Sequence, residues 1–159
     1  MPWIQTKPVI DYGVRELCFR RYPDHPSGCP NYGRRPTCPP ECKLLHEVID
    51  LDKPVYVVWS VFDLGVHVDR MRTRHPGWSD RQLRCCLYWQ PKARKKLWIE
   101  IVHCSISIEN GGMKGHLCPE AMGVNVTETM KLLGEILEWP PVTKTYQVAL
   151  VGYPKKVGR

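Results

Sequence analysis

No stretch of this 159-residue chain approaches the roughly 20 consecutive apolar residues that a membrane-spanning helix requires. Its amino terminus, MPWIQTKPVIDYG, lacks both a basic start and an apolar run of signal-peptide length. These absences predict a cytoplasmic protein without a membrane partner, in a compartment where thiols stay reduced. The familiar catalytic signatures are missing too. There is no P-loop, no G-x-S-x-G elbow, no dinucleotide fingerprint and no H-E-x-x-H. Gly111, Gly112 and Gly115 are too sparse for a phosphate cradle. No C-x-x-C pair and no internal repeat occur.

What the chain has in quantity is cysteine and positive charge. Its eight cysteines, in a reducing compartment, favour metal ligation over disulfides. The formal charge of +7 comes from clustered basic residues: Arg20 with Arg21, Arg34 with Arg35, then Arg70, Arg72 and Arg74, Arg81 and Arg84, and Lys92, Lys95 and Lys96. Such a surface attracts anions. The neighbouring Trp78, Tyr88, Trp89 and Trp98 offer rings on which bases can stack. The plainer expectation is a solvated helix face with its aromatics buried behind it. Between the two lies an arginine-lined pocket beside a metal site, with Arg34 and Arg35 as its anion-binding candidates.

The length suits one core, so we expect a single domain over residues 1–159. Its fold class reads as α/β, a small mixed sheet packed by helices, with an irregular cysteine-rich loop at 18–42 and a second loop at about 107–124. The periodicity predicts strands at 7–10 and 55–62 and a helix over 41–51. Ser79 and Gln82 form a capping box for a helix running to about residue 90, where Pro91 kinks it or opens a second helix. Residues 109–117 read as loop. Asn125 caps a helix over 126–133 that stops at Gly134, and 135–139 with 146–151 suggest an antiparallel hairpin before a frayed tail.

The segment CFRRYPDHPSGCPNYGRRPTCPPEC, residues 18–42, holds four cysteines among prolines, glycines and arginines. It has too few apolar side chains to offset its ordering entropy by burial, so a metal or cluster is the economical means of holding it. Ten residues separate Cys18 from Cys29, eight separate Cys29 from Cys38, and three separate Cys38 from Cys42; Cys85, Cys86, Cys104 and Cys118 follow. Zinc knuckles use closer pairs, and only Cys38 with Cys42 approaches that pattern. Cys29-Pro30, Cys38-Pro39 and Cys118-Pro119 repeat the cysteine–proline dipeptide of ferredoxin runs, which tilts the reading toward iron–sulfur, with zinc as the alternative. Adjacent Cys85 and Cys86 point about 100° apart on a predicted helix and read as small buried hydrophobes rather than ligands. Cys104 stands open between ligand and core. The six histidines have no ligand spacing.

Two motifs, GCPNYGRRPTCPP at 28–40 and CPEAMGVNVTETMKLLG at 118–134, carry a resemblance. The chain resembles a family of uncharacterised, predicted metal-binding proteins of the domain-of-unknown-function class, which look like iron–sulfur carriers. The resemblance implies a 4Fe-4S cluster with ligands at Cys18, Cys29, Cys38 and Cys118, and Cys42 as an additional candidate. Cys18 lies farther from the next cysteine than its counterpart in the family, and a compact cysteine group before the second motif is missing.

Four thiolate ligands suit electron transfer with a redox partner or structural support. Three leave one iron open as a Lewis acid for sulfur chemistry on a small anionic substrate, which would make the protein an iron–sulfur enzyme. The competing reading is a zinc-stabilised module that binds nucleic acid through its basic helical face. Glu109, Glu120 and Asn125 stand in or beside the second loop as acid, base or orienting candidates, although a surface or capping role is the commoner one. No general base is assigned.

Overall fold

The computed structural model describes residues 1–21, 25–108, 111–156 and 158. Its strands are β1 (Trp3–Gln5), β2 (Val55–Asp63), β3 (Lys114–His116) and β4 (Lys144–Gly152). The α-helices are α1 (Leu45–Val48), α2 (Leu64–Arg74), α3 (Asp80–Leu83), α4 (Gln90–Ser107) and α5 (Val126–Leu132). The strands form one sheet of order β1-β2-β4-β3. This is the α/β single domain expected, and the mixed sheet is refined to one that is antiparallel throughout.

Residues 55–62 are apolar at nearly every position because both faces of β2 are covered. Val55, Val57 and Trp59 pack with Leu45, Ile49, Val124 and Met130, on the side of α1 and α5. Val58 packs with Leu97, Ile101 and Cys104 of α4, joined by Ala149 and Val151 of β4. On that same side the buried Ser60 hydroxyl donates to the Ala93 carbonyl at 3.2 Å, which satisfies a polar group that would otherwise be costly to bury. A third cluster ties the start of α2 (Leu64, Val68) to Leu83, Trp89 and Ala93.

Several local signals act as read. Ser79 and Gln82 make the capping box of α3. Pro91 sits in the first turn of α4, so it opens a second helix. Between them the predicted single helix is broken: α3 is one turn, and a 3-10 turn at Cys86–Tyr88 precedes α4. Asn125 caps α5, its side chain accepting the Glu128 amide at 3.1 Å, and Gly134 follows the helix at φ 80°.

Other expectations are corrected. The first strand is β1, not 7–10. Pro8 has no amide to give a ladder, Val9 is held instead by Thr129 and Asn125, and Ile10 makes only a bridge to Val124. The helix expected over 41–51 shrinks to α1, because Cys42 still belongs to the cysteine loop and Ile49 bridges to Pro154. The hairpin of 135–139 with 146–151 does not form. Both edges of β4 are taken, by β2 and β3, so residues 135–139 have no edge to join. The loop at 109–117 contributes β3, which lies tight on α4: a Cβ at Gly115 would stand 2.8 Å from Ile101 Cγ2. The expected tail is pinned as far as Lys155, whose amide donates to the Val48 carbonyl at 2.9 Å.

A candidate thiolate centre and its cleft

Cys18 closes a 3-10 turn, Tyr12–Cys18, that Asp11 caps through the Gly13 amide. The Cys29 amide donates to the Cys18 carbonyl at 2.8 Å. Between them Gly28 sits at φ 81°, where a Cβ would lie 2.8 Å from the backbone of Phe19, so only glycine fits this crossing. The chain then folds over itself. Tyr32 donates its amide to Cys29 and packs edge-on against Phe19 at 5.6 Å, and Gly33 donates its amide to the Pro39 carbonyl at 2.8 Å. Cys38 and Cys42 share one turn, Cys42 N–H to Cys38 O at 3.0 Å. In place of a core, backbone hydrogen bonds hold the loop.

Cys118 comes from the other irregular segment, opening the 3-10 turn Pro119–Met122. That turn is clamped to the amino-terminal segment by Asp11 N–H to Gly123 O and Asn125 N–H to Val9 O, each 2.8 Å. Gly123, at φ 89°, lies against the Tyr12 ring, where a Cβ would stand only 2.5 Å from Cδ1. The Cys42 thiol donates to the Ala121 carbonyl at 2.9 Å, so it too joins the two loops. Arg15 braces the junction, its guanidinium donating to the Cys42 carbonyl at 3.1 Å and lying 3.7 Å from the sulfur.

Cys18 is coupled electrostatically to Cys29, Cys38 and Cys42, and Cys118 to Cys38 and Cys42. Burial raises the pKa of Cys18, and Cys29, Cys38, Cys42 and Glu120 raise it further. Cys118 is raised by burial first, then by Glu120 and Cys38, while Arg94 acts the opposite way. At Cys42, burial outweighs the lowering by Arg15. Glu120 is exposed by area, while desolvation by the surrounding protein pushes its pKa up. All eight cysteines are free thiols. Among the described residues, no three His, Cys, Asp or Glu side chains stand close enough together to hold a single ion.

The remaining cysteines are elsewhere. Cys104, on α4, is fully buried in the core against β2 and β4, and burial pushes its thiol up to about 11. Cys85 is half-buried beside a 3-10 turn and Cys86 is exposed on it, which corrects the expected burial of that pair: the helix that would have buried them is interrupted there. Asn125 is a helix cap. Glu109 lies outside the described residues.

Beside the thiols lies a cleft of about 640 Å³. Cys42 and Cys118 form part of its wall, and Arg35, Lys43 and Arg94 give it positive charge. Arg34 is exposed and does not line it. Leu97, Val148 and Met122 supply an apolar floor, and His116 enters from β3 with a buried Nε2 that has no hydrogen-bond partner among the described residues. Burial, then Lys114, lowers the His116 pKa and favours the neutral ring. Sequence reasoning missed Arg15, Lys43 and His116. Arg94 and Trp98, four residues apart on a helix opened by Pro91, carried a readable signal that they share a face.

No family model matches this chain, nor does any curated protein or solved structure. No helix among the described residues is long and apolar enough to cross a membrane.

Proposed function

We propose that this protein carries an iron–sulfur cluster, of the 4Fe-4S type, on thiolates drawn from Cys18, Cys29, Cys38 and Cys118, with Cys42 as the alternative ligand. What supports this reading is that Cys118, one hundred residues after Cys18, is coupled electrostatically to Cys38, as Cys18 is to Cys29 and Cys38, with no disulfide among them. Two backbone clamps and two positive-φ glycines hold the segments there, and the second segment is anchored to the core through Met122 and Val124. A zinc ion would hold its sulfurs at about 2.3 Å from one point. A cluster spreads its thiolates over several irons and accepts a distant cysteine to complete the set.

Such a cluster would supply electron transfer when four cysteines bind it, or a Lewis-acidic iron when three do. The chain's own residues set what reaches it. Arg35, Lys43 and Arg94 draw an anion into the cleft, and the apolar floor limits water around it. His116 offers an unpartnered ring nitrogen at the same wall. These features support a small anionic substrate, with sulfur transfer or desulfuration as the reaction class, over a simple carrier.

Anaerobic purification with iron, zinc and acid-labile sulfide analysis and an ultraviolet–visible spectrum tests the reading. Iron and sulfide in a brown protein are expected. One stoichiometric zinc without sulfide would move the weight to the zinc-stabilised nucleic-acid module.

A further inference from the structure

A second cleft, of about 690 Å³, opens between α2 and α4, away from the thiols. Arg70 and Arg74 stand one turn apart on α2, and Lys92, Lys95 and Lys96 recur at helical spacing on α4, so each helix turns one basic face to the gap. Lys92, Lys95 and Lys96 lie on a different flank of α4 from Arg94 and Trp98, so one helix serves both clefts.

These five cations are uncompensated. Arg72 and Arg84 are neutralised by Asp69 and Asp80, but none of the five makes an ion pair among the described residues. Lys96 alone reaches a backbone acceptor, the Val61 carbonyl at 3.3 Å. The one carboxylate lining the cleft, Asp63, caps α2 by accepting the Val66 amide at 2.9 Å. Five like charges brought together without partners cost stability unless an anion neutralises them. Within the same cleft His67 carries a buried Nε2 with no hydrogen-bond partner among the described residues, and burial, then Arg70 and Lys92, lowers its pKa, which keeps a neutral polar edge available.

The inner wall is apolar and aromatic. Phe62 stacks on Trp89 at 5.4 Å and 17°, and Tyr88, 55% exposed, stands at the rim. A bare inorganic anion would use the cations and leave the exposed Tyr88 ring wet. A ligand with a planar ring and several phosphates would use both.

We infer that the cleft between α2 and α4 binds a nucleoside phosphate, its phosphates on Arg70, Arg74, Lys92, Lys95 and Lys96 and its base against the exposed Tyr88 ring at the rim. A free nucleotide and one unit of a single strand present this same chemistry. The site is independent of the thiolate centre.

Isothermal titration of the full chain with ATP, with a six-nucleotide oligoadenylate and with inorganic tripolyphosphate tests it. ATP or the oligoadenylate should bind, with tripolyphosphate at least tenfold weaker. Tighter binding of ATP identifies a free nucleotide and tighter binding of the oligomer identifies a strand. Lys92→Glu and Lys95→Glu, both at exposed positions, should each weaken binding at least tenfold and lower the salt slope by about 1. Lys131→Glu, on α5, should leave binding unchanged. Equal affinity for tripolyphosphate, no binding by any of the three, or binding that survives both reversals would overturn the inference. Circular dichroism of each variant separates lost binding from lost fold.

Discussion

The amide of Cys29 donates to the carbonyl of Cys18 at 2.8 Å, so two cysteines ten residues apart in the intervening sequence are stitched backbone to backbone. Gly28 permits the crossing. Its φ of 81° and the 2.8 Å approach of Phe19 leave no room for a side chain. Gly28→Ala should therefore strain the loop by about 1–3 kcal/mol and displace Cys29 from Cys18. Metal content per chain is expected to fall in Gly28→Ala and to stay at the wild-type level in Gly77→Ala, where a Cβ meets nothing within 4 Å.

Thiol chemistry should separate the cysteines by location. Cys104, fully buried with its pKa pushed up to about 11, has almost no thiolate at pH near 8. Cys86 is exposed. A thiol-reactive probe on the native protein should label Cys86 and spare Cys104, and unfolding in urea should expose both. Peptide mapping by mass spectrometry reads the result. Cys104→Ala should keep its metal while losing about 1 kcal/mol of stability, because it removes one buried atom from a packed site.

Arg94 lies between the proposed cluster ligands and the cleft, acting electrostatically on Cys118 and lining the same wall as Cys42. Arg94→Gln should leave metal and sulfide stoichiometry unchanged. It should weaken the spectral response of the loaded protein to added sulfide by about tenfold, the loss expected for one charge-assisted contact. A titration followed in the visible region measures both.

Much of the frame was readable because it rests on local chemistry. The β-branched run at 55–62, the Ser79–Gln82 box, the Asn125 cap and Pro91 each act through neighbours in sequence. The misses are tertiary. The helix α2 begins with Leu-Gly-Val and shows little propensity; it forms because Asp63 caps it and Leu64 and Val68 bury against Leu83 and Trp89. Residues 135–139 look like a strand but serve as a brace, Glu135 accepting from the Tyr146 hydroxyl and Glu138 from the amides of Val142 and Thr143. The irregular cysteine loop was legible from its composition, whereas Cys118 was named only through the family resemblance. The cleft was not legible, since Lys43, Arg94 and His116 come from three separate elements and meet only in space.

That brace predicts a pH dependence. Glu138 accepts from the Thr143 hydroxyl and from the Thr143 and Val142 amides, which lower its pKa from 4.5 to about 2. Because the folded value lies below the unfolded one, its contribution is present above about 4.5 and is lost as pH falls toward about 2. Thermal unfolding of wild type should show this acid loss. Glu138→Gln, which cannot titrate, should be less stable at neutral pH and lack that part of the slope.

The central claim is that one centre draws ligands from both the cysteine loop and the second loop. Iron and acid-labile sulfide per chain, measured on anaerobically purified wild type, Cys29→Ala and Cys118→Ala, tests it most directly. Iron and sulfide are expected in the wild type, with a marked loss of both in each variant. A full complement in Cys118→Ala, or no iron in the wild type, would contradict it.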